Sequence, residues 1–488
     1  MGNENEQANQ DGIEWWSATE MAAAIASKEV SSREALEHLV ARIERLDGPI
    51  NSVVQWDLDR ARAAAAAADE AVAAGGDLGP FHGVPLTIKD SFQTEGCTTT
   101  SGAPELADYV PAEDAAPVAR LREAGAIPFA KTNLPIYAGD IQSYNEVYGT
   151  TNNPYDVERT CGGSSGGSAA ALAMGFTPLE LGSDIGGSIR TPAHYSGVVG
   201  HKPTFGIVPA HGQIPGPPGT LSQADLAVAG PMARTTNDLA VALDVMAGPD
   251  RWNAPAWRLD LPRPTAESLG STRIAAWLDD EASPVDADTS RVLAGVVGSI
   301  EQAGGSVDTE ARPGFSLSKA WDVFSLLLFA ALSGGHPKDK IEHLAGDTSD
   351  TPMGRVKRGT AARHRDWLSQ HERRLQMRLK FEQFFDDYDV LLLPAGPRPA
   401  IGHDHSPQWE RTVDIGGETR SYLDLFTWIA PAGLAYLPAT VVPAGMSADG
   451  LPIGVQVVAP HLQDHTAIAV AGMIADAVGP IPRPALAS

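Results

Sequence analysis

Three short stretches of this chain carry residue types that can do chemistry together. Residues 182–192 read GSDIGGSIRTP, residues 160–171 read TCGGSSGGSAAA, and residues 82–91 read HGVPLTIKDS. The first strips side chains from around one hydroxyl. Backbone N–H groups that must face a developing negative charge need such a stretch, because glycine accepts positive φ and allows close approach. A tight surface turn would use the same residues. The third stretch places Lys89 at the end of an apolar, strand-like run, where desolvation lowers an amine's pKa towards that of a usable base. A serine hydroxyl is a poor nucleophile at neutral pH and needs that base. Neither glycine loop contains a histidine, so one lysine with two Gly-Ser loops points to a Ser–Ser–Lys relay rather than a Ser–His–Asp triad.

Other local patterns compete with this reading. Residues 163–167, GSSGG, satisfy G-x-S-x-G and would nominate Ser165 as a nucleophile, but that leaves Lys89 and Ser188 without a role. Cys161 lies beside the serine loop, although a free cysteine usually behaves as a small buried hydrophobe. His403, Asp404 and His405 stand in a Pro/Gly-rich loop without further ligands, which reads as a solvated turn rather than a metal site. No Walker lysine follows either glycine loop, and neither a metal nor a cofactor is expected. Trp15 and Trp16 read as core or lid anchors.

The elements that must hold these residues are legible in outline. The chain has 488 residues, 43% hydrophobic and 20% charged, enough for one large α/β unit with a sizeable core. A net charge of −25 opposes nucleic acid or an anionic membrane as a general partner. Two cysteines exclude a disulfide scaffold, and the polar opening MGNENEQANQ has no export signal, so a soluble cytoplasmic protein is expected. The apolar window from Ala320, AWDVFSLLLFAALSGG, is interrupted by Asp322 and predicts a buried helix. Ser31 and Glu34 have capping-box spacing ahead of Leu36, Leu39, Val40, Ile43 and Leu46. An alanine-rich helix is predicted over 61–74, ending at Gly75 and Gly76. Apolar runs at 84–88, 127–130, 198–200 and 390–393 alternate with helices, which predicts an α/β sheet covered on both faces. Residues 250–284 are rich in Pro, Trp and Asp, and 355–385 predict one long charged helical stretch.

Taken together, these motifs resemble the amidase signature hydrolases from about Ser17 to Val478. GGSSGGSAAALA precedes GSDIGGSIRTPAHYSGVVGHKPTFG with Ser164 and Ser188 spaced by 24, flanked by GVPLTIKD, KTNLP at 131–135, GPMARTTNDLA at 230–240 and GLPIGVQVVAP at 450–460. The resemblance implies a mixed central β-sheet covered by helices on both faces. It implies one unit over 1–488, with a signature core at about 75–245 and a variable helical cap at about 310–385. It gives Ser188 the role of acylated nucleophile, Ser164 that of a bridging serine after a cis peptide bond, and Lys89 that of the base. The N–H groups of Ile185, Gly186, Gly187 and Ser188 would form the oxyanion hole, the Asp184–Arg190 pair would hold the loop, and Tyr137, Ala138 and Gly139 would line the substrate site. The implied reaction is cofactor-free hydrolysis of a small-molecule amide or aryl carbamate, with oligomeric state left open. The alternative is a glutamine-dependent amidotransferase subunit that needs partner chains. Ile136 stands where amidotransferase-type relatives usually carry an acid, which favours a free-standing hydrolase with an apolar pocket. A non-catalytic relative is disfavoured because all three relay residues are intact.

Overall fold

The apolar runs become strands of one mixed sheet in a computed structural model that describes residues 12–214, 218–347, 349 and 351–488. The opening decapeptide lies outside the described residues. In chain order the strands are β1 (Val53–Trp56), β2 (Pro85–Lys89), β3 (Ile127–Thr132), β4 (Leu179–Asp184), β5 (Val199–Lys202), β6 (Val228–Ala233), β7 (Ile274–Ala276), β8 (Val307–Asp308), β9 (Val390–Pro394), β10 (Ala439–Met446) and β11 (Pro452–Val458). Their order across the sheet is β1-β3-β2-β4-β6-β5-β10-β11-β9-β7-β8. The β3-β2-β4 and β9-β7-β8 groups are parallel, and the other pairings are antiparallel.

Central strands such as β9, VLLLP, and β11, PIGVQVV, are buried throughout and read as nearly continuous apolar runs, because both faces of the sheet are covered. Along β9, Val390 and Leu392 enter one core while Leu391 and Leu393 enter another. The first core takes the helices Ser32–Leu46, Thr236–Met246, Ala287–Gln302 and Asp464–Val478. The opposite face is covered by Gly166–Ala173, Arg190–Ser196, Leu317–Ala331 and His364–Phe384, whose Phe381 and Phe384 share a cluster with Leu391 and Leu393.

The predicted helix starts hold at Ser31, whose N–H donates to Glu34 Oε2 at 2.9 Å while Glu34 N–H donates back to Ser31 Oγ at 3.1 Å. The alanine-rich helix starts earlier than expected, at Leu58, and ends at Ala74 before Gly75, which takes the left-handed φ of 73°. The stretch predicted as one charged helix over 355–385 is two, Pro352–Thr360 and His364–Phe384. The break is a helix start: Asp366 turns back to accept the Arg363 N–H at 3.2 Å. The apolar run Leu317–Gly335 is long and apolar enough to cross a membrane. Here its Ala320, Trp321, Phe324, Leu327 and Leu328 are packed in a core with Met377 and Leu434.

Candidate active site

Parallel pairing of β2 with β4 puts the ends of both strands side by side, and both ends carry chemistry. Lys89 is the last residue of β2, and β4 runs out through Ser183 and Asp184 into the glycine turn before the Arg190–Ser196 helix. The second glycine loop leads into the Gly166–Ala173 helix, and Ser165 N–H donates to Ser188 O at 3.1 Å, stitching the two loops together.

Lys89 is fully buried, and its Nζ donates to Ser164 Oγ at 2.7 Å, Ser165 Oγ at 2.9 Å and Ser183 Oγ at 3.0 Å. Burial lowers its pKa to about 7, against the opposing fields of Asp184 and Glu180. A neutral amine at working pH is therefore accessible, and the shortest of its contacts is to Ser164. The Gly163-Ser164 peptide bond is cis. Its glycine is required by crowding, since a Cβ there would meet Ile141 C at 2.7 Å.

Exposure separates the three serines of the loops. Ser164 and Ser165 are 1% and 0% exposed, whereas Ser188 is 6% exposed, the most open hydroxyl of the set. Ser165 Oγ is also spent on structure: besides Lys89 it contacts Ser183 O and accepts Ser183 N–H, both at 3.3 Å. That geometry gives Ser165 no path to a substrate.

Asp184 is the hub of the glycine turn that carries Ser188. Oδ1 accepts from Gly187 N–H and from Arg190 Nη2, both at 2.9 Å, and Oδ2 accepts from Arg190 Nε at 2.9 Å and from the Ile189 and Arg190 N–H groups at 3.2 and 3.3 Å. Burial alone would raise this carboxyl, but the Arg190 charge and hydrogen bonds outweigh it and hold it at about 2. Arg190 Nη1 reaches on to Ile429 O and Gln456 Oε1, both at 2.8 Å. The pair expected to hold the loop does so. It also occupies one of the four expected oxyanion donors, because the Gly187 N–H points at Asp184. The N–H groups of Ile185, Gly186 and Ser188 are not drawn into this cage.

Apolar side chains roof the turn. A Cβ at Gly186 would lie 3.6 Å from Leu328 and Phe426, and the Ile185 side chain packs on the same cluster. Gly187, at φ 97°, cannot carry a side chain, since its Cβ would sit 2.4 Å from Ile429 Cδ1. Among the charged residues bordering this cluster, Arg374 Nη1 holds both Asp225 oxygens at 2.9 Å, the Tyr436 hydroxyl donates to Asp225, and the Arg378 guanidinium lies 5.2 Å from the Tyr436 ring.

Tyr137 and Ala138 adopt left-handed φ values of 52° and 56° in a turn fixed by Tyr137 N–H to Ser101 O at 2.8 Å and Tyr137 Oη to Glu105 at 2.6 Å. Gly139 O accepts from Gln408 at 2.6 Å, and the chain then runs through Ile141 beneath Gly163. Ile136 is 46% exposed, so the apolar cover of the turn comes from Leu328, Phe426 and Ile185 instead. Sequence reasoning missed Leu328, Phe426 and Ser183. Only Ser183 had a signal, its place beside Asp184.

The competing motifs are accounted for structurally. Cys161 is fully buried, and burial pushes its thiol up to about 12, the opposite of an activated nucleophile. His403 Nε2 contacts Val157 O at 3.3 Å, Asp404 accepts the Ser406 hydroxyl at 2.6 Å, and the His405 ring stacks on Tyr144 at 3.9 Å. Arg483 and Arg42 lie 4.1 and 5.1 Å from the Trp15 ring, making it an anchor of the chain's two ends.

Comparison with known proteins places this geometry among relatives. A family model described as Amidase matches residues 34–468. The chain is 34% identical over 483 residues to the A-type subunit of the glutamyl-tRNA(Gln) amidotransferase of Chromohalobacter salexigens, covering 93% of this chain and 94% of that one. It is 32% identical over 467 residues to an acylamidase of Rhodococcus erythropolis, again covering 93% and 94%. The structure of a bacterial aryl acylamidase superposes with a TM-score of 0.81 at 25% identity, covering 95% of this chain and 96% of that one.

Proposed function

Because this chain belongs to the amidase family, we propose that it is a free-standing hydrolase of apolar, aryl or alkyl amides, extending to aryl carbamates, with Ser188 as nucleophile. Neutral Lys89 takes the Ser164 proton as Ser164 takes that of Ser188, and Ser188 Oγ bonds to the substrate carbonyl carbon. The N–H groups of Ile185, Gly186 and Ser188 receive the charge that develops on the carbonyl oxygen. The same relay run backwards protonates the departing nitrogen, which amide cleavage requires because an amide anion is a very poor leaving group. The C–N bond then breaks, and water releases the acyl group by the mirror-image sequence. Residues at about 310–385 serve as the cap over this site, and the turn at Tyr137, Ala138 and Gly139 borders it.

The observation that carries the substrate choice is the apolar roof of the glycine turn. Glutamine would need its ammonium met by a carboxylate, whereas Asp225, the carboxylate bordering this roof, is already held by Arg374. Relatives of both kinds have near-equal identity, so likeness alone does not choose between them. The purified chain should release aniline from a simple anilide without any partner. Ammonia release from glutamine, dependent on added partner chains and with no anilide turnover, would instead establish the amidotransferase reading.

The roof also makes a graded prediction. Leu328→Ala removes part of the apolar wall and should lower kcat/KM for an aryl anilide by about tenfold, while changing a small primary amide far less. Equal losses on both substrates would remove Leu328 from the binding wall.

A further inference from the structure

Glu180 is a buried carboxyl that the mechanism above does not use. It lies on β4, level with Thr87 of β2 in the parallel pairing, and its Oε1 accepts the Thr87 hydroxyl at 2.6 Å. Thr87 and Lys89 are two residues apart on one strand, so they share a face at a spacing of about 7 Å. Glu180 therefore shares the buried space of the Lys89 side chain. It is 1% exposed, and its Oε2 has no hydrogen-bond partner among the described residues. The neighbouring hydroxyls of Thr132 and Ser168 pair with each other at 3.0 Å. A carboxyl left half-satisfied in so dry a place is poorly stabilised as an anion.

We infer that Glu180 and Lys89 form one coupled acid–base pair, with Glu180 a positioning residue that sets how readily Lys89 gives up its proton. This rests on the reading of Lys89 as the base. In its working state the pair holds a single proton, on Lys89 with Glu180 ionised, or on Glu180 with Lys89 neutral and active. The second arrangement buries no charge in either group. The two forms differ only in which group binds the proton, and no direct transfer between them is invoked.

The groups around Lys89 support this division of labour. Two carboxylates act on it, Asp184 and Glu180, both from β4. Asp184 stays ionised in its Arg190 cage and supplies a constant field. Burial raises Glu180 to about 7, opposed first by the Thr87 hydroxyl, so it changes charge in the same range as Lys89. Lys131 of β3 also feels Glu180, but its Nζ is turned to Thr94 and Thr99 at 3.0 and 3.1 Å, with Asp90 at 3.7 Å. Lys202 and Arg190 stand behind Asp184.

The sign is determined. Ionised Glu180 favours protonated Lys89, so removing that charge lets Lys89 become neutral at lower pH. In Glu180→Gln, the rise of kcat/KM with pH, each profile normalised to its own plateau, should move down by about one unit. Thr87→Val, which withdraws the hydroxyl that stabilises the carboxylate, should move it the same way by less, and it tests the pair independently if the glutamine variant does not fold. Midpoints unchanged or raised in the variants that fold would overturn the pair and make Glu180 purely structural. A wild-type rise that survives in Lys89→Ala would instead overturn the base assignment beneath it.

Discussion

Replacing Lys89 with alanine should slow anilide hydrolysis by about a hundredfold or more, the size of effect expected when a general base is lost. In the proposed relay the active form of the lysine is the neutral one. Since burial lowers its pKa to about 7, wild-type kcat/KM should rise with pH through that value and then level off, and the variant should lose this rise. Esters should suffer less than amides, because an alkoxide leaves without the proton that Lys89 and Ser164 return to an amine. A lysine that only packs β2 against β4 would damage both substrates equally. The measurement is a pair of pH profiles, one for an anilide and one for the matching ester, on protein shown to be folded by circular dichroism. A folded variant with the wild-type profile would end the relay.

Ser188→Ala should cost more, about 10⁴-fold or beyond, because no other hydroxyl of the site can take over bond formation. Ser165 is closed off by its bonds to Lys89 and Ser183, and Ser164, bonded to Lys89, has the bridging role in the proposed relay. A fluorophosphonate should therefore label the wild-type chain on Ser188, and peptide mass spectrometry should find the Ser188→Ala chain unlabelled. An adduct on Ser165 would restore the G-x-S-x-G assignment.

Much of this site is legible in the amino-acid sequence, and the illegible part has a physical pattern. Lys89, Ser164, Ser188 and Asp184 can be read because their jobs need special residue types in short runs. Ser183 and Glu180 stand in plain view on β4 but carry little signal, since only the register of β2 against β4 shows that their side chains share Lys89's space. Leu328 and Phe426 are illegible for another reason. Periodicity shows that an apolar residue is buried, not which neighbour it is buried against, and both reach the glycine turn from distant parts of the chain. Ile136, read through the family resemblance as a sign of an apolar pocket, is 46% exposed, a degree of exposure its sequence position does not announce. The break at 361–363 has no proline to announce it and depends on Asp366 closing back on Arg363. Edge strand β8, two residues long, is set by its pairing with β7 rather than by its own pattern.

Arg190 also bears on how the protein comes to life on the ribosome. Its guanidinium is satisfied only when Ile429 and Gln456 are in place, and β5, which follows its helix, is flanked on one side by β10. A nascent chain that has emerged through β6 holds Lys89, Ser164 and Ser188 yet lacks the outer contacts of Arg190 with Ile429 and Gln456. Activity should therefore appear late, after β10 and β11 have joined the sheet, with closure over such sequence separations slowing that final step. The signature segment is for the same reason a poor candidate for transplantation into another scaffold, because part of the bracing of its Asp184–Arg190 turn comes from the last quarter of its own polypeptide.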